Sequence, residues 1–557
     1  MKQISVVFIF IFLFFLIIIA RLFYWQFLIS DQLKAQAEDQ YLLKEEMPAK
    51  RGEILYADNQ PLVANEKCFL VFAQPKETEN DEKLAKELSS VLEMDEATIA
   101  ARLSQKNLFW TPIKHKVEDD KTEAIKALNL SGIGFQEESK RFYPEGSGSA
   151  HLLGFVGKDA AGKDKGYFGL EGYYDRELKG RPGFLTIEKD PQGNPILTSS
   201  REEFDKENGS SLVLNIDRTV QYILENKLKE GIKKYDAKTG GAVLMNPQTG
   251  AILGMVSYPS YDPESFLDFD EKSFKNPLIS DFFEPGSIFK VIIMASALDQ
   301  KLVEADTLYN EKGPISIGGY RIKTWNDEYN GEITMTEILE RSSNVGMVWV
   351  AEKLGLDNAF SYLKKFGFGQ KTGIDFQEEF SPELRPKEQW REIDLATASF
   401  GQGIAVTPIQ ILKAVSTIAN KGRLVKPYVV QKIINENGET KKIKPQIGKK
   451  VITSETAAVL TEMMVASVEH GEAKWNIPEG FRIAGKTGTA QIPVAGHYDP
   501  NKTVASFIGF APADDPKFVM LITLHEPSAS PWASETAAPL FFDITKELLN
   551  YYGLSPD

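Results

Sequence analysis

Residues 284–302 read Glu-Pro-Gly-Ser-Ile-Phe-Lys-Val-Ile-Ile-Met-Ala-Ser-Ala-Leu-Asp-Gln-Lys-Leu, and the rest of the chain is read outward from them. Pro285 and Gly286 suit a turn, since proline fixes φ and glycine lets the backbone approach its neighbours. From Val291 to Leu298 the run is apolar on every side apart from Ser296. A helix of that kind is buried. Ser287 then stands at the start of a core helix, with Lys290 one turn along on the same face. The helix dipole there favours a developing negative charge. A serine and a lysine so placed have the form of a nucleophile with its base.

Ser-x-x-Lys alone is a common pattern. A second one, Ser361/Lys364, lies in a lysine-bearing amphipathic segment and reads as a solvated helix face. Two further elements separate the pairs. Downstream, Arg341-Ser342-Ser343-Asn344 follows a helix opened by a capping box, Thr334-x-x-Glu337. It precedes another helical pattern from Val345 to Leu354 that stops at Gly355. Ser342 and Asn344 therefore fall on a short connection between helices. The third element is Ala484-Gly485-Lys486-Thr487-Gly488-Thr489-Ala490. Lys-Thr-Gly also occurs at 238–240 and 371–373, where it reads as turns. Only the copy at 486 continues an alternating strand through Phe481 and Ile483, with small residues that let a ligand lie against the backbone.

Residues 1–29 predict a membrane anchor. Val6 through Ala20 is uninterrupted apolar sequence, and a span needs roughly 20 such residues. Tyr24 and Trp25 suit an interfacial belt. No small-x-small cleavage site follows, so an uncleaved anchor is expected, and Lys2 favours a cytoplasmic N-terminus. Residues 36–205 alternate turns with charge-rich helical patterns and carry no nucleophile-and-base pattern. They read as an irregular mixed α/β structural domain. From 211 to 557 the pattern is a strand at Leu212–Asp217, a helix at Thr219–Lys234, a hairpin at 242–256, late strands at 503–510 and 518–524, and a closing helix at 537–552. Strands at both ends with helices between them predict an antiparallel sheet covered by helices, an α+β fold.

Composition excludes several classes. The single cysteine, Cys68, permits no intrachain disulfide, and five scattered histidines offer no metal spacing. No metal or cofactor is expected. A net charge of −14 with no long basic run argues against nucleic acid.

The order Ser-x-x-Lys, Ser-x-Asn, Lys-Thr-Gly-Thr is the motif series of penicillin-binding proteins and serine β-lactamases. Glu284–Lys290, Ser342-Ser343-Asn344-Val345-Gly346, Ser399-Phe400-Gly401-Gln402-Gly403 with Thr407-Pro408, and Ala484–Gln491 resemble class B penicillin-binding proteins. Upstream, Arg51-Gly52-Glu53-Ile54, Arg141-Phe142-Tyr143-Pro144 with Ala150–Gly154, and Gly169-Leu170-Glu171-Gly172 resemble the membrane-proximal pedestal of that class. The chain departs from commoner patterns at Ile288, where threonine is usual, and at Ser343, where many β-lactamases have aspartate.

The resemblance implies a C-terminal transpeptidase domain with a five-stranded antiparallel sheet. It also implies a D,D-transpeptidase that cross-links peptidoglycan stem peptides through a serine acyl-enzyme and is acylated by β-lactams. Ser287 would be the nucleophile, Lys290 its base, Ser342 a proton relay and Asn344 an orienting group. Lys486, Thr487, Gly488 and Thr489 would bind the terminal carboxylate, and the N–H groups of Ser287 and Thr489 would form the oxyanion hole. The polymerising partner would be a separate membrane protein, by family analogy a SEDS-type glycosyltransferase, touched by pedestal residues such as Arg51 and Glu53. A β-lactamase would need a water-activating group between the second and third elements, and Glu378, Glu379 and Glu383 form no such pattern. A D,D-carboxypeptidase shares every catalytic residue, and only the anchor and pedestal speak against it. A β-lactam sensor would need a signalling domain before the anchor.

Overall fold

The computed structural model describes residues 2–188, 201–494 and 497–556. The apolar helix Lys2–Phe23 continues through a π-helical turn at Tyr24–Leu28. Within Gln3–Leu28 an 18-residue window reaches a mean hydropathy of 3.1, and none of that window is buried. Its 26 residues rise about 39 Å, more than a hydrocarbon core of about 30 Å requires.

The chain forms two compact units that do not follow one cut of the sequence. The smaller comprises residues 1–51, 65–140 and 180–209. Its helices Asp81–Leu92 and Glu96–Leu103 start where Asn80 and Asp95 accept backbone N–H groups of Lys83 and Thr98. Leu84, Leu88, Ile99 and Ile125 pack on Val71, Ile113 and Val117 of the strands beneath. Part of the expected pedestal, residues 189–200, lies outside the described residues.

The larger unit comprises residues 52–64, 141–179 and 210–557. Three of the upstream motifs meet inside it. The Arg141 guanidinium, 8% exposed, donates from Nε to Glu171 at 2.7 Å and from Nη1 to the Gly52 carbonyl at 2.7 Å. Glu171 is fully buried, so this pair ties the three segments together where an unpaired charge would be costly.

The central sheet has the five antiparallel strands expected, in the order Ile252–Tyr258, Thr239–Met245, Phe518–His525, His497–Ala511, Ala484–Val494. Strand residues alternate faces. Ala242, Leu244, Phe507 and Ile522 face the helices Arg218–Tyr235 and Ala537–Tyr551, where Phe507 meets the Phe541 ring at a tilt and the Phe542 ring edge-on. Val243, Met245, Ile508 and Leu521 face the helices Lys290–Asp299, Pro408–Ala419 and Ser454–Glu469. The Lys-Thr-Gly strand is the outer edge of this sheet.

Three local expectations are corrected. The strand expected at 212–217 is only Ser211–Leu214, and it pairs with Ile54–Leu55 and Val430–Ile434 instead of the central sheet. Asp217 ends it by capping the next helix, accepting from Thr219 and Val220 N–H. Lys238-Thr239-Gly240 is no turn, because Thr239 opens a central strand and Gly240 pairs with Tyr258 and Leu524. Pairing on both sides overrides the local turn preference. Finally, the nucleophile segment opens as a 3-10 turn, Gly286–Phe289, and becomes α-helical only at Lys290.

Candidate active site

Where the chain enters the core helix, the backbone is held from three sides. Phe283 and Val406 exchange backbone hydrogen bonds, each 3.0 Å, and Gly286 N–H donates to the Gly401 carbonyl at 3.0 Å. Glu284 accepts from Gly403 N–H at 3.1 Å and from the Tyr498 hydroxyl. Gly401 has φ +80°, and a Cβ there would stand 2.1 Å from the Gly286 carbonyl oxygen. Only glycine allows that approach. The Ser399–Gly403 segment is thus a brace for the turn that carries Ser287.

The edge strand closes the other side. A Cβ on Gly488 would come 2.8 Å from Ile288 Cγ2 and 3.0 Å from the Pro285 carbonyl, so the strand backbone lies flat against the turn. Thr487 and Thr489 reach the cleft on either side of that contact, and the Thr489 hydroxyl accepts from Ala533 N–H at 3.0 Å.

The second element is seated by a capped helix. The Thr334–Glu337 capping box starts Met335–Glu340 as expected. Ser343 caps the following helix, accepting from Gly346 N–H at 2.9 Å, and its hydroxyl donates to the buried carboxylate of Glu311. Glu311 also accepts from the Asn330 backbone and side chain. Ser342 is left at φ +53°, an uncommon region for serine that costs about 1–3 kcal/mol.

That conformation serves Lys290. Its Nζ lies 2.5 Å from the Ser342 carbonyl oxygen, 3.1 Å from Ser342 Oγ and 2.8 Å from Asn344 Oδ1. Lys290 has no exposed surface, and Lys486 is 2% exposed. Burial, reinforced by the Lys486 charge and opposed by Glu472 and Glu311, holds Lys290 well below the ordinary lysine value of 10.5. Burial lowers Lys486 as well, opposed by Glu472. A neutral Lys290 has two N–H groups for the two carbonyl oxygens and a lone pair left for a hydroxyl proton.

One cleft of about 90 Å³ collects Ser287, Ser342, Asn344, Thr487 and Thr489. The buried Lys290 and Lys486 stand behind this lining, Lys290 against Ser342 and Asn344 and Lys486 donating to the Thr487 hydroxyl at 3.1 Å. Trp325 and Trp532 also line it, their rings 5.2 Å apart. A larger cavity, about 840 Å³, lies elsewhere, between Tyr258, Lys272, Asp281 and His525, and its lining includes none of Ser287, Lys290, Ser342, Asn344, Lys486, Thr487 and Thr489. Ser361 and Lys364 are exposed, as a solvated face should be, with Lys364 over the Phe360 ring.

The motif reading missed Glu311 and Glu472, and it gave Gly401 no role. Glu311 and Glu472 stand in no recognisable pattern with Ser287. Gly401 belonged to a quoted motif, but its contact with Gly286 cannot be read from spacing.

The family described as "Penicillin binding protein transpeptidase domain" matches residues 240–546. The chain belongs to the penicillin-binding protein transpeptidases. A "Penicillin-binding Protein dimerisation domain" matches residues 46–214, which agrees with the pedestal reading and makes the chain a class B member. Stage V sporulation protein D of Bacillus subtilis is 36% identical, over 100% of this chain and 86% of that protein. Peptidoglycan D,D-transpeptidase FtsI of Escherichia coli is 30% identical, over 97% of this chain and 90% of FtsI. Among solved structures, a peptidoglycan synthetase from Bifidobacterium adolescentis superposes with a TM-score of 0.76 at 27% identity, covering 93% of this chain and 98% of its own.

Proposed function

We propose that this penicillin-binding protein is a peptidoglycan D,D-transpeptidase whose acyl-enzyme forms on Ser287. The observation that carries the reading is the buried Lys290, held by Ser342 and Asn344 one turn from Ser287. Ser287 Oγ attacks the carbonyl between the two terminal D-alanines of the donor stem peptide. Lys290 accepts the hydroxyl proton, and Ser342 passes a proton to the departing amine. The D-alanine leaves, and an acceptor amine then attacks the ester and releases Ser287. Lys486, Thr487 and Thr489 hold the donor's terminal carboxylate, which Lys486 serves in its charged form. A β-lactam enters the same sequence, and its ring opening leaves no small product to depart. Aztreonam and ampicillin complexes of a mycobacterial penicillin-binding protein 3, a fold relative at TM-score 0.71, support that use of the cleft.

The apolar helix anchors the protein in the cytoplasmic membrane with the N-terminus inside and the catalytic unit outside, where peptidoglycan is. Residues 36–205 act as a pedestal, and residues 211–557 as the transpeptidase. A SEDS-type glycosyltransferase is the expected polymerising partner. The side chain of Glu53 is exposed and available for such a contact.

The test is labelling of the full chain with fluorescent penicillin, followed by mass spectrometry of the labelled peptide. Label on Ser287, lost in Ser287→Ala, supports the assignment. Label that maps to Ser361, or persists in Ser287→Ala, overturns it.

A further inference from the structure

We propose that Glu472 is a positioning residue that occupies the site's carboxylate receptor and is displaced from it when a ligand's carboxylate arrives. The inference rests on Lys486, Thr487 and Thr489 being that receptor.

Three observations converge on Glu472. The Thr487 hydroxyl donates to Glu472 Oε2 at 3.4 Å, so an internal carboxylate already takes the hydrogen bond meant for the ligand's. The distance is long for a hydrogen bond, and such a contact is readily exchanged for a better one. Glu472 also lines two cavities at once, the catalytic cleft and an adjoining groove of about 370 Å³. A displaced side chain therefore has somewhere to go without unfolding the wall. Its charge acts on both buried lysines, opposing the desolvation of Lys486 and of Lys290.

The physical need is plain. A buried ammonium with no counter-charge is expensive, and a receptor left empty would shed the Lys486 proton or fill with water. A resident carboxylate keeps Lys486 charged and the Thr487 hydroxyl aimed into the cleft before the ligand comes, so less reorganisation is needed on binding. Ligand and Glu472 then compete for one receptor.

The charges around Glu472 are Lys290 from the core helix, Lys486 from the edge strand, and Glu311 from the strand Leu308–Glu311. On the groove side stand Glu328, Glu340, Arg341, His470 and Lys474. Arg341 pairs with Glu337 at 3.7 Å and His470 contacts Glu340 at 3.1 Å, so both side chains are already engaged.

Two measurements test the proposal. The first is a structure of the full chain acylated by benzylpenicillin. The ligand carboxylate should take the Thr487 hydroxyl, with Glu472 turned into the groove. Retention of the Thr487–Glu472 contact beside a bound carboxylate overturns the proposal. The second is the pH profile of benzylpenicillin acylation in Glu472→Gln and Glu472→Asp, with melting temperatures recorded for each. Acylation requires Lys290 neutral and Lys486 charged, and Glu472 raises both pKa values. Glu472→Gln should therefore move both limbs to lower pH, while Glu472→Asp moves them back towards wild type. Unmoved limbs in a Gln variant that melts like wild type overturn the proposal. Peptide mapping of the same samples separates the failures. Label on another serine removes the site assignment as well, whereas label on Ser287 with Glu472 unmoved removes this inference alone.

Discussion

Lys290 Nζ lies 2.8 Å from Asn344 Oδ1, across 54 positions of sequence. The helix supplies an amine with no access to water, and the capped loop supplies the oxygens that orient it.

Lys290→Ala should slow penicillin acylation by about 10²–10⁴-fold, the range for loss of a proton-transfer group. Lys364→Ala should leave the rate unchanged, because that lysine is exposed and rests on a ring face. Stopped-flow labelling of the two variants checks this. Equal effects would mean that the base has been misassigned.

The wild-type acylation rate should be bell-shaped in pH. It rises as Lys290 loses its proton, because the base must be neutral. It falls as Lys486 loses its own, because the carboxylate receptor must be charged. Burial lowers both lysines, and the Lys486 charge adds to the lowering of Lys290, so both limbs should lie below the ordinary lysine value of 10.5. An alkaline limb at or above that value would contradict the role given to Lys486.

Ser343→Ala removes a helix cap and the hydroxyl donor of a buried carboxylate together. The expected destabilisation is about 1–2 kcal/mol. Ser343→Asp should be worse although aspartate is a good cap, since it sets a second carboxylate against Glu311, which is 1% exposed. Thermal melting ranks the pair, and an aspartate variant at least as stable as wild type would refute the account.

Gly401→Ala should lower stability by more than about 1 kcal/mol, since the strain of positive φ adds to a backbone clash. It should also slow acylation, because the displaced backbone is that of Gly286, beside the nucleophile. Gly438→Ala is the control: φ is +80° there too, but a Cβ meets nothing within 4 Å. It should cost only the conformational strain and leave acylation intact. Melting and labelling rates of both variants decide.

The sequence by itself determined what depends on neighbours along the chain. The anchor is legible because the uninterrupted apolar run Val6–Ala20, resumed after Arg21, needs no partner to declare itself. The buried helix after Ser287 is legible from its lack of a polar stripe, and the Thr334–Glu337 box from a three-residue interval. Motif order then sufficed to choose Lys486 over Lys238 and Lys371, although not to see that Lys238 leads straight into a central strand. Tertiary structure alone decided the rest, because it depends on which distant segments touch. Residues 52–64 and 141–179 join the larger unit because Arg141 needs Glu171 and the Gly52 carbonyl, a demand made by burial and not by spacing. Gly401 is required by an approach to Gly286 that no local pattern announces. Glu472 looks in sequence like any surface glutamate after a helix end. It matters because folding sets its carboxylate beside Thr487, within the field of two lysines that have been taken out of water.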